Sequence, residues 1–110
     1  MAYDEELAHR IRELLADEDH SEMPMFGGLA FMLAGNMAVA ISSRGRLMVR
    51  IGADAVEGAL SDPAASQMQM GVRPMRGWVI VDPVGVSTKR NLGKWVGRGV
   101  RFARTLPSKG

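Results

Sequence analysis

Apolar residues recur at two different spacings along this chain, and the switches between them mark out helices and strands. Leu7, Ile11, Leu14 and Leu15 follow the rhythm that lines one side of a helix, which predicts a helix over residues 4–17. Asp4 suits its N-cap, and Glu5 and Glu6 suit the positive end of the helix dipole. The polar run 18–22 closes the helix, and Pro24 discourages its continuation. Short apolar runs broken by turn residues follow, the pattern of an antiparallel meander with strands at 29–33, 37–41 and 46–51. In the last of these, Leu47, Val49 and Ile51 alternate with Arg46, Met48 and Arg50, so one side meets a core and the other faces solvent or a partner.

Gly52 ends that strand, and residues 53–60 predict a two-turn helix with Val56, Ala59 and Leu60 turned inward. Residues 61–69 are polar, small and methionine-bearing, which fits a loop or a weak edge strand. Two strands are placed in the region that runs through Arg73-Pro74-Met75-Arg76-Gly77-Trp78 and Val79-Ile80-Val81 to a turn at Asp82-Pro83. The final helix is capped by Ser87 or Thr88, aligns Leu92, Trp95, Val96, Gly99, Val100, Ala103 and Leu106 on one face, and stops before Pro107. The fold class expected is α+β: helix, three-stranded antiparallel meander, short helix, two strands, and a long C-terminal amphipathic helix packed on the sheet.

Composition narrows the picture. A length of 110 residues, 46% hydrophobic and 24% charged, fits one globular domain spanning 1–110. Zero cysteines remove disulfides, thiolate nucleophiles and Cys-based metal sites. With no signal-like or long apolar stretch, the expected location is the cytoplasm, with no membrane partner. The net charge of +2 hides a strong asymmetry. The first 22 residues carry eight acids against Arg10 and Arg12, whereas no acid follows Asp82 and Lys89, Arg90, Lys94, Arg98, Arg101, Arg104 and Lys109 supply half of the positive charge.

That basic end holds the clearest chemical hint. Arg90, Lys94, Arg98 and Arg101 fall within roughly 80° of one another on the outer face of the last helix, a candidate nucleic-acid-binding face acting on phosphates. Little aromatic interleaving accompanies it, so a solvated face or an ionic partner for the acidic N-terminal region is the preferred reading. Gly93 and Gly97 on the flank of that helix hint at a close backbone approach. The Gly27-Gly28 pair precedes a strand and lacks the lysine and following helix of a phosphate-binding loop, so backbone geometry at the entry to the meander explains it better. His9 and Glu13 lie one helical turn apart, but further ligands run out, so no metal site is expected. No nucleophile or acid–base constellation is visible, and neither an enzyme nor a cofactor is expected. Nine methionines, mostly in the strand region, are read as flexible filler of an irregular core, with those on a solvent-side parity such as Met48 as exceptions.

Met25-Phe26-Gly27-Gly28-Leu29-Ala30-Phe31, the Gly35-Asn36-Met37-Ala38 turn, Arg73-Pro74-Met75-Arg76-Gly77-Trp78 and the helix from Trp95 to Leu106, in that order, resemble the TfoX/Sxy N-terminal domain of competence regulators. The resemblance spans nearly the whole chain and implies the same order of helices and strands. It also implies a bacterial regulator of DNA-uptake genes that works with the transcription machinery; in longer relatives a helical domain follows, and this chain is expected to carry the N-terminal domain alone. The function expected is therefore a non-enzymatic regulatory or adaptor domain acting through protein contacts, with a homodimer also open. Direct nucleic-acid binding through the basic helix is the alternative. A small-molecule binder or enzyme is the second alternative. Phe26, Gly27, Gly28, Arg73, Arg76 and Trp78 are the candidate partner or ligand surface, and a binder or enzyme would need a closed pocket near Phe26, Arg73, Arg76 and Trp78.

Overall fold

The computed structural model describes residues 3–25, 27–70 and 72–108. Its elements run α1 (Glu5–Leu14), β1 (Ser21–Met25), β2 (Gly28–Leu33), β3 (Asn36–Ile41), β4 (Leu47–Arg50), α2 (Ala53–Ala59), β5 (Ala65–Met70), β6 (Arg73–Val81), a 3-10 turn (Pro83–Val86) and α3 (Lys89–Arg104). Asp4 caps α1 by accepting from the Leu7 amide at 3.0 Å, and Thr88 caps α3 by accepting from the Asn91 amide at 3.1 Å. Each cap satisfies an amide that the first helical turn leaves without an internal acceptor.

The strands form one antiparallel sheet in the order β1-β2-β3-β4-β6-β5. The α+β class and the order of helices stand, and the sheet gains an edge strand, β1, where the sequence reads as a polar closing run. Ser21, Glu22 and Pro24 are poor strand formers, but β1 is an exposed edge, where proline costs no ladder hydrogen bond. The stretch 61–69, read as a loop or weak edge, contains most of β5, which forms the opposite edge.

Helices cover only one face of this sheet. α3 packs over β3 and β4, α1 lies beside α3, and α2 packs over β6. Between them lies a core that draws Leu7 and Ile11 from α1, Phe31, Val39, Val49 and Val79 from the sheet, and Leu92, Trp95 and Val96 from α3. Burying a side chain of this size stabilises the fold by about 1.5–3 kcal/mol. The pleat follows: Leu47 and Val49 are buried under α3, and Met48 and Arg50, one residue along, are not.

Two local features fix how α3 sits. The β2–β3 turn is the pair Ala34-Gly35, both at positive φ (51° and 82°), which matches the tight hairpin turn whose twist suits flanking strands. The register then slips between Phe31 and Met32, so β3 contributes an extra residue, Ala38, beside Val39. Gly99 of α3 rests on this bulge: a Cβ there would lie 2.5 Å from the Ala38 carbonyl oxygen and 2.8 Å from Val39 Cγ1. The close backbone approach expected at Gly93 and Gly97 falls at Gly99 instead, since a Cβ at Gly93 would meet only Leu14 at 3.7 Å and one at Gly97 only the Arg101 side chain at 3.3 Å.

Candidate functional site: the open face of the sheet

The face without helices carries a groove lined mainly by apolar side chains. Among the described side chains no methionine belongs to the buried core, which corrects the reading of the methionines as core filler. They point the other way. Met25, Met37, Met48, Met68 and Met75 line, with Trp78, an open groove of about 390 Å³ on the outer face. Its floor is close-packed at Gly28, where a Cβ would lie 2.0 Å from the Ile41 carbonyl oxygen, so no side chain can fill that point. The other polar residues of the lining are Ser42 and Ser43. Ser42 Oγ is engaged in its own turn, accepting from the Arg44 and Arg46 amides at 3.3 and 3.1 Å.

The wall formed by Met68 and Met75 depends on an irregularity. At Gly77 (φ 86°) β6 parts from β4, and the Gly77 carbonyl accepts from the Ile51 and Gly52 amides at 2.8 and 3.1 Å. The β5–β6 register shifts between Gln67 and Gln69, and Gln67 Nε2 fills the gap, lying 3.0 Å from the Met75 carbonyl oxygen and 3.2 Å from that of Trp78. The pair of strands continues past the rest of the sheet in this way and lends two methionines to the groove.

The structure separates the candidate partner or ligand residues. Gly28 and Trp78 line the groove. Gly27 lies in the exposed turn before β2 at φ 76°. Arg76 belongs to a different hollow, beside Val56, Glu57 and Leu60 near α2, and Arg73 is exposed at the start of β6. Phe26 lies outside the described residues. These residues form no closed pocket. Sequence reasoning missed Met25, Met37, Met68 and Met75. The signal that could have found them is the helix inventory: two long helices and one short one suffice for one face of a six-stranded sheet.

The basic candidates on α3 stand apart from this groove. Arg90, Lys94 and Arg101 are exposed, and Arg98 lies over the Trp95 ring at 4.9 Å from its centroid. None of the four forms an ion pair with a described acidic residue. The contact between the basic helix and the acidic N-terminal region is made by Arg104, which pairs with Glu18. A second tie holds that region to α1: Arg12 donates twice to Glu22, both at 2.8 Å, and these bonds hold the Glu22 carboxyl below the usual carboxylate range. His9 contacts Glu13 at 3.1 Å on the exposed side of α1, and no three metal-capable side chains come together among the described residues. No helix among them is long and apolar enough to cross a membrane.

Helices on one face and an open, methionine-lined groove on the other define an α+β domain built on a one-sided sheet. The chain matches the TfoX N-terminal domain over residues 13–103, most of its length, and belongs to that family. No curated protein and no solved structure matches it.

Proposed function

We propose that this domain is a non-enzymatic regulatory or adaptor module that works through protein contacts in the cytoplasm, as a competence-regulator-like domain acting with the transcription machinery. One observation carries this reading: an apolar groove with flexible methionine walls lies open on a sheet face that the domain's own helices leave uncovered. Concave, mostly apolar clefts are where binding sites concentrate, and thioether side chains adapt their shape to a partner at low cost. Family membership supports the regulatory context.

The test is photo-crosslinking in the cell of origin from a benzoyl-phenylalanine placed at Met48, with Lys94 as the comparison position. A discrete protein adduct from position 48 is the expected outcome; turnover of a metabolite by the purified domain, with no adduct, would sink the proposal. Nucleic-acid binding is the second reading, favoured by the four basic side chains of α3 that lack acidic partners among the described residues. It predicts salt-sensitive binding to duplex DNA that the Lys94→Glu/Arg98→Glu variant loses. Unchanged binding by that variant rules the face out.

A further inference from the structure

Resting on the protein-contact reading, we infer that the groove receives an amphipathic α-helix whose apolar stripe is flanked by acidic side chains. The backbone argument selects a helix. On the groove floor, β2, β4, residues 39–41 of β3 and residues 78–81 of β6 have a paired strand on both sides, so their ladder groups are already used, while residues 73–76 of β6 pair with β5 alone. Polar groups are scarce in the lining, and Ser42 is committed to its turn. An extended peptide laid on that floor would bury amides and carbonyls without partners, each at a desolvation cost. A helix brings its backbone hydrogen bonds with it.

Shape selects against two other occupants. A second copy related by a two-fold axis would set groove against groove and leave the space between them unfilled. A hydrocarbon ligand would keep part of its apolar surface in water, because the groove is open along one side. A helix instead sinks one stripe and leaves its charged face wet.

Charge sets the flanks. No acidic residue lines the groove. Arg44 follows Ser43 at one end, and Arg73 stands two residues before Met75 at another; both are exposed, and neither has an ion pair among the described residues. Arg46, by contrast, lies 3.6 Å from Asp82. Neither arginine lines the groove, but each stands within two residues of a lining position, and unpaired guanidinium groups so close to an apolar trough favour carboxylates on the incoming helix and disfavour lysines.

The experiment is fluorescence anisotropy of the full chain with three labelled peptides of roughly 18 residues. One has a leucine stripe with glutamate flanks, one the same stripe with lysine flanks, and one the glutamate composition scrambled so that no stripe forms. The glutamate-flanked helix should bind about tenfold more tightly than either control at low salt, and its advantage over the lysine peptide should shrink at about 0.5 M salt. Met48→Lys should weaken it about tenfold with the melting transition retained, and Arg44→Glu/Arg73→Glu, which leaves the groove walls intact, should erase the preference for glutamate flanks. Equal binding of the scrambled peptide, equal binding of the lysine peptide, capture of dodecanoate in place of the peptide, or a dimer that Met48→Lys dissociates would each overturn the inference. A protein adduct from position 48 whose contact segment is not helical overturns this inference and leaves the protein-contact reading standing. Tight binding of the glutamate peptide without any cellular adduct supports the groove's preference and counts against that reading.

Discussion

The two faces of the sheet are made by the same strands from alternate residues, yet they serve different ends. On one face Val39, Val49, Val79 and Phe31 are fully buried in the core beneath the helices. On the other, Met37, Met48 and Trp78 remain half-buried with no helix above them. The first face is β-branched and aromatic, with few rotamers and fixed packing; the second is dominated by unbranched thioethers that repack freely. Rigid side chains sit where the fold must be unique, and pliable ones line the groove proposed to receive a partner.

The two tryptophans give the largest test of that contrast. Trp95 is 2% exposed in the core, and Trp95→Ala should cost about 3–5 kcal/mol in urea unfolding. Trp78 stands on the open face, and Trp78→Ala should cost under about 1.5 kcal/mol. Similar losses at both positions would mean that the outer face is also core.

A smaller effect separates two helical glycines. Gly99→Ala should destabilise by about 1–3 kcal/mol, because the new methyl group drives α3 off the bulge at Ala38. Gly58 in α2 has nothing within 4 Å of its would-be Cβ, so Gly58→Ala should stabilise by about 0.5–1 kcal/mol. Thermal melts of the two variants, moving in opposite directions, would support the close contact; equal shifts would break it.

Much of this was legible in the sequence, and the failures have physical causes. The 3.6-residue rhythm placed α1 and α3, and their caps at Asp4 and Thr88 were readable because an N-cap is a local interaction. β1 was not, since Ser21, Glu22 and Pro24 have no strand preference and are held there by pairing with β2 and by the Arg12 bridge to Glu22. The groove stayed hidden for another reason. Apolar residues on both sides of a strand read as burial on both sides, and nothing local says which side the helices take. Gly99 lay on the apolar arc with Val96, Val100 and Ala103, the position where a close approach belongs, and it was overshadowed by the more exposed Gly93 and Gly97.

The weakest expected effect is a pH dependence at the β1 edge. Hydrogen bonds from Arg12 lower the Glu22 pKa in the folded state, so the bridge contributes stability above the unfolded carboxylate pKa and loses it as pH falls through the lowered value. The parent and Glu22→Gln should therefore differ in melting temperature near pH ~7 and converge toward pH ~2. A gap that persists at the acid end would remove the ionic explanation.

Adjacent residues of β4 test the division between the faces most directly. Urea unfolding of Met48→Gln and Val49→Gln, measured side by side with binding of the glutamate-flanked helix, compares the two faces on one strand. Val49→Gln should cost about 3 kcal/mol or more, because it places an amide in a sealed core, whereas Met48→Gln should cost under about 1 kcal/mol and weaken peptide binding. Comparable destabilisation by both, with binding untouched by Met48→Gln, would contradict the account.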